Sequence, residues 1–136
     1  MRVQDASRSR RTPSEARFRK WVRAAASGRT EVTVRLVGPA EGRTLNLGYR
    51  GKDHATNVLT FAYEPQIGDI VLCPSVIARE ALDQGKALES HYAHLTVHAV
   101  LHLRGYDHAR ARDAARMERA EIRILKGLGY SNPYLA

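Results

Sequence analysis

The chain predicts an α/β (α+β) fold: a small sheet of three to four strands flanked by helices. Three observations carry this. Short runs at 31–37, 57–63 and 69–73 are rich in β-branched and apolar residues, the first in clear alternation, as half-buried strands are. Runs with a 3.6-residue apolar period, bounded by glycine and proline, lie before, between and after them. One of these, 88–104, is apolar nearly all round, which marks a buried helix.

Taken in order, residues 1–11 are polar and read as a flexible basic arm. Residues 12–136 read as a single domain, a size that supports a proper core. Thr12-Pro13-Ser14-Glu15 opens a helix, with Thr12 as N-cap and Pro13 at the first helical position. Phe18, Trp21, Val22 and Ala25 form its apolar stripe, and Gly28 ends it. Glu31–Val37 alternates Val32, Val34 and Leu36 as a strand, and Gly38-Pro39 breaks it. Residues 40–48 fit a short helix. Asn57–Tyr63 and Asp69–Cys73 are the next strands, and the short link between them predicts an antiparallel pair. A helix starts at Pro74 or Ser75 and runs to about Gln84 before Gly85. Leu88–Arg104 follows. A last helix spans about Ala109–Leu128, with Met117, Ala120, Ile124 and Leu128 inward and Gly129 as its cap.

Composition narrows the function classes. Hydrophobic residues make up 43%, ordinary for a globular protein. No apolar run reaches the 18 or so residues of a membrane span, and the Arg-rich N-terminus lacks the apolar core of a secretory signal. Cys73 is the only cysteine, so no intrachain disulfide forms, and it reads as a small core residue. These features together predict a cytoplasmic protein with no membrane partner. The net charge of +8 favours polyanions. It is uneven: residues 1–23 carry eight Arg or Lys against Asp5 and Glu15, so the arm is either an RNA contact or a solvated tail.

The chemistry concentrates in the run HAVLHLRGYDH. Five of the six histidines fall between His91 and His108. His98 and His102 are one helical turn apart and share a face. Gly105 permits a helix-ending conformation, after which the chain can bring His108 back to the other two. Three neutral imidazoles leave one tetrahedral position open, as in catalytic zinc sites; structural zinc sites are usually closed and cysteine-rich. The offsets match the protease pattern H-E-x-x-H-x-x-G-x-x-H, but Ala99 stands where the general-base glutamate belongs. The ligand set without the base points to a metal-dependent hydrolase that is not a peptidase. Imidazole sites also suit nickel or another divalent metal. His94 lies on the same helical arc and reads as a supporting group, an RNA contact or a core residue. His91 and His54 read as surface or loop residues.

The run from His94 to His108 resembles the signature of the YbeY family of bacterial ribosomal RNA maturation factors. LNLGYRGKDHATNVLTF, Leu45 to Phe61, resembles that family's L-N-x-x-Y-R-x-K-D-x-x-T-[DN]-V-L-[ST]-F block, with Ala55 where Pro is frequent and Thr60 where Ser is common. IGDIVLCP, Ile67 to Pro74, and LGYSNPY, Leu128 to Tyr134, fit as well. The likeness covers roughly residues 31–134 and leaves the basic arm outside.

The resemblance implies one zinc ion held by His98, His102 and His108. It implies a single-strand-specific, metal-dependent endoribonuclease acting in maturation of small-subunit (16S) ribosomal RNA and in ribosome quality control, with ribosomal RNA and the small subunit as partners. It points to one arginine, which falls on Arg50. That guanidinium can stabilise charge building on a phosphoryl group through its planar fork of donors. The plainer role for Arg50 is an ion pair with Asp53. His94 is a candidate proton shuttle. Tyr49 and Tyr106 are candidates for stacking on bases or for packing beside the site. Asp107 is a candidate to orient His108 or to cap the last helix. The alternatives are a non-enzymatic ribosome assembly factor with a structural zinc, and a metal-dependent hydrolase of another substrate. Oligomeric state is not legible.

Overall fold

The computed structural model describes residues 1–135. Four strands form one mixed sheet: β1 (Arg2–Asp5), β2 (Glu31–Leu36), β3 (Val58–Glu64) and β4 (Ile67–Leu72). Their order is β1-β2-β4-β3. β1 and β4 run parallel to β2, and β3 runs antiparallel to β4 as the short link requires. Among the described residues five helices accompany the sheet: α1 (Glu15–Ala25), α2 (Pro39–Arg50), α3 (Pro74–Gln84), α4 (Leu88–Leu103) and α5 (Ala111–Gly127).

The strand period separates two apolar layers. Ile70 and Leu72 of β4, with Val32, Val34 and Leu36 of β2, face α1 and α4 in the main core. Val71 points the other way and packs with Leu59 and Cys73, under Leu45 of α2. α4 is the central helix. Tyr92, Ala93, Val97, Ala99, Val100 and Leu101 are all essentially buried, so it is enclosed on several sides as its composition predicts. One contact fixes its C-terminal end to the sheet. A Cβ on Gly68 would lie 2.1 Å from the Phe61 carbonyl oxygen and 3.0 Å from Leu103, so only glycine lets this end of α4 approach the β3–β4 pair. Gln66, in the β3–β4 turn, donates its N–H to the Leu103 carbonyl (2.9 Å) and holds both the amide and the carbonyl of Ser27 through its side chain.

Two details depart from expectation. Residues 2–5, placed in a flexible arm, form β1, with Val3 packed against the main core. Without them β2 would present an unpaired edge; a single valine among polar residues is too weak a signal to show that. The N-cap of α1 is Ser14, not Thr12: its hydroxyl accepts the Arg17 N–H at 3.2 Å.

Candidate metal centre

The C-terminal half of α4 carries His98 and His102 one turn apart, and their Nε2 atoms face each other at 3.2 Å. The helix then ends in a Schellman motif. Tyr106 N–H returns to the Leu101 carbonyl and Gly105 N–H to the His102 carbonyl, both at 3.0 Å. This needs a left-handed residue, and Gly105 supplies it at φ +95°. The reversal brings His108 in, with ring centroids 5.8 Å from His98 and 5.0 Å from His102. One donor nitrogen from each histidine lies within 4.8 Å of the others. A tetrahedral zinc with bonds of ~2.0–2.1 Å sets its ligand nitrogens ~3.3 Å apart. The His98–His102 pair already has that spacing, and His108, whose side chain is exposed, has room to rotate toward it. The three residues fit the ion.

Glu121 is the residue that the sequence reading missed. It projects from α5 and is fully buried. Its carboxylate accepts hydrogen bonds from His98 Nδ1, from His94 Nε2 (3.0 Å) and from the Tyr134 hydroxyl. Burial alone would raise its pKa, but the bonds from His94, His98 and Tyr134 outweigh it and bring the pKa down to about 2. An ionised carboxylate only accepts, so it keeps the proton of His98 on Nδ1 and leaves the Nε2 lone pair facing His102. Burial, followed by the neighbouring His98 and His108, lowers the pKa of His102 and favours the neutral form that ligates metal. The signal for Glu121 was its position: four residues after Met117 and four before Leu125, on the inward stripe of α5.

A cleft of about 580 Å³, within the range of small-ligand sites, opens over the three imidazoles. Tyr49 and Arg50 form one wall and the start of β3 another. Arg50 is the last residue of α2, placed at the lip because Gly51 ends the helix at φ +70°. Asp53 does not hold it. Arg43 takes that carboxylate through two bonds, at 2.5 and 3.0 Å, and among the described residues no carboxylate pairs with Arg50.

The other candidates are sorted by position. His94 does not line the cleft; it sits behind His98 against Glu121 and Tyr134. Tyr49 lines the cleft, half exposed and edge-on to Phe61 at 4.5 Å. Tyr106 is outside it, partly buried against the core with the Arg104 and Arg116 guanidiniums 5.3 and 5.1 Å from its ring. Asp107 accepts the His108 and Ala109 N–H groups at 2.7 and 3.2 Å, but lies 4.0 Å from His108 Nδ1, so it holds the turn and not the imidazole. It is not the N-cap of α5, which is Arg110. His91, expected at the surface, is 4% exposed and bonds Glu80 at 2.9 Å. His54 is exposed.

The family model described as "Endoribonuclease YbeY" matches residues 3–129. The likeness therefore reaches into the N-terminal segment that the motif comparison left uncovered. A protein of that name from Aromatoleum aromaticum is 58% identical over 127 residues, covering 91% of this chain and 82% of its own length. One from Methylobacillus flagellatus is 54% identical, covering 98% and 92%. One from Azoarcus sp. is 56% identical over 90% of this chain, which spans about half (53%) of that protein's length. A solution structure of a Thermotoga maritima protein superposes with a TM-score of 0.58 at 21% identity, covering 98% of this chain and 99% of that one, a likeness of fold alone.

Proposed function

This chain belongs to the YbeY endoribonuclease family, and from that premise we propose that it is a metal-dependent endoribonuclease specific for single-stranded RNA. We assign it to maturation of small-subunit ribosomal RNA and to ribosome quality control in the cytoplasm. One observation carries the enzymatic reading: three imidazole donors converge beneath an open cleft whose lip holds an arginine with no carboxylate partner among the described residues. A purely structural metal would not require the opening.

His98, His102 and His108 would hold one divalent ion, with zinc the first choice and nickel or another divalent metal the second. When bound, the ion supplies Lewis acidity toward water or a phosphoryl oxygen at neutral pH. The chain's own residues do the rest. Glu121 keeps the His98 proton on Nδ1. Arg50 sets its fork of donors against the non-bridging oxygens, where charge grows during phosphodiester cleavage. Tyr49 offers a ring to an unpaired base, which a duplex would withhold. His94 supports Glu121 from behind, a role that fits its position better than proton transfer in the cleft. Peptidase chemistry is disfavoured, because Ala99 is fully buried in the main core and carries no base.

The assembly-factor reading has one observation on its side: no carboxylate is among the residues lining the cleft. One experiment separates the two. A labelled single-stranded RNA and its duplex are incubated with zinc-loaded, chelator-stripped and reloaded protein. The proposal predicts cutting of the single strand alone, lost on stripping and regained on reloading. Intact RNA in the presence of fully loaded, folded protein would favour the structural zinc.

A further inference from the structure

We propose that the outward face of α5 is a docking track for the phosphate backbone of single-stranded RNA; this rests on the RNA-cleaving reading above. Arg112, Arg116, Arg119, Arg123 and Lys126 recur at spacings of four, three, four and three. At ~100° per residue they fall within an arc of ~80°, and at 1.5 Å per residue the row is ~21 Å long. All five are exposed. Glu121, which reaches into the metal centre, lies ~180° from the row's axis, so the row as a whole faces away from α4, while the Arg116 guanidinium leans over Tyr106. The acidic residues Asp113 and Glu118 project ~100° and ~120° to either side and leave the row unbroken.

Among the described residues, Arg17, Arg19, Arg29, Arg35 and Arg43 elsewhere each meet a carboxylate, whereas Arg23, Arg50 and Arg79 do not. Among the described residues none of the five on α5 does either, and what sets these five apart is their alignment on one helix face. Each successive pair in the row is an i,i+3 or i,i+4 like-charge contact, which weakens a helix. Lys126 complements the negative end of the helix dipole, but Arg112, in the first turn, sits at the wrong end. A straight array of unpaired cations complements a linear polyanion better than it does a scattered acidic surface.

The placement fits the same strand that the cleft would take. Arg112 follows His108 by four residues, and the Arg116 guanidinium lies 5.1 Å from the Tyr106 ring centre beside the Gly105 turn. His108 lines the cleft and the row begins four residues later along the chain, so the near end of the row adjoins the segment that closes the cleft. Contacts of this kind position the backbone without reading sequence.

The test compares wild type with Arg119→Gln/Arg123→Gln/Lys126→Gln and with a control, Lys20→Gln/Arg23→Gln/Arg79→Gln, which loses the same charge from exposed sites off the row. Glutamine is a good helix former, so α5 persists; circular dichroism and zinc content check this, and the single change Arg123→Gln serves if the triple variant misfolds. Binding of zinc-loaded protein to a fluorescent single-stranded oligoribonucleotide is read by stopped-flow anisotropy, before turnover, across a salt series. Each phosphate contact on a single strand contributes ~0.7 to the slope of log K against log salt. The row variant should lose about 2 from that slope, Arg123→Gln about 0.7, and the control much less. Equal losses in row and control variants, or none in either, overturn the track. Wild type that binds with the steep slope but cuts nothing would sink the enzymatic reading and leave the track standing.

Discussion

Glu121→Gln isolates what the buried carboxylate does for the metal. The change keeps shape and volume and removes the charge. Glu121 is a hydrogen-bond partner of one ligand directly, His98 through Nδ1. A hydrogen bond to a charged group contributes ~1.5–3 kcal/mol and a neutral one ~0.5–1.5, so the bond to His98 weakens by ~1–1.5 kcal/mol. At 1.4 kcal/mol per factor of ten this is about a tenfold loss of zinc affinity, at the lower end of the ~10–100-fold typical of such outer partners. Stability should fall as well. A pKa held near 2 means that the fold favours the ionised carboxylate over a neutral side chain, and glutamine gives up that preference. It softens the loss, because its oxygen can still accept from His98 and its amide can donate to the Tyr134 oxygen. The assay is zinc competition against a chromophoric chelator, with a thermal melt of the metal-free protein beside it. The expected pattern is a tenfold weaker Kd for zinc together with a melting temperature of the metal-free protein lowered by several degrees. A Kd within twofold of wild type would show that packing, not the carboxylate, orients His98.

Two further outcomes follow from backbone geometry. Gly105→Ala forces an L side chain into φ +95° with nothing within 4 Å of the new Cβ, so it brings strain without a clash; a cost of ~1–2 kcal/mol and weaker zinc binding are expected, because the same turn carries His108. Equal zinc affinity and melting temperature would mean that the turn tolerates the residue freely. Gly68→Ala puts a Cβ 2.1 Å from the Phe61 carbonyl oxygen; a loss of more than ~3 kcal/mol in urea unfolding is expected, and a loss under 1 kcal/mol would show that β3 and α4 can separate cheaply.

The elements legible in the sequence were those with a strong period or a sharp stop. β2 alternates cleanly, and α4 is apolar on several faces. Gly85, Gly105 and Gly129 all adopt the left-handed backbone that ends a helix. The convergence of His98, His102 and His108 was legible because their spacing makes sense only if the chain reverses after Gly105. What stayed hidden depends on tertiary partners. β1 is four residues with one core-packed valine, and it exists because β2 offers a parallel edge. Glu121 looked like one acid among several on a charged helix; only the packing of α5 against α4 shows it beneath His94 and His98. His91 looked polar and exposed, but it is buried and Glu80 on α3, itself partly exposed, gives its Nε2 a partner. The pairing of Arg50 was open until Arg43 was seen to occupy Asp53.

The central claim is that an open three-histidine metal centre and Arg50 form one RNA-cutting site. The most direct test is cleavage of single-stranded RNA by zinc-loaded wild type, Arg50→Lys and Arg50→Ala, each verified for fold and for one bound zinc. Arg50 contacts none of the three ligands' hydrogen-bond partners, so both variants should keep metal and stability. Lysine lacks the bidentate fork, so Arg50→Lys should lose most of the activity despite keeping the charge, and Arg50→Ala at least as much. If all three proteins cut alike, Arg50 is not part of the chemistry. If none cuts while all hold zinc, the metal is structural and the assembly-factor reading replaces this one.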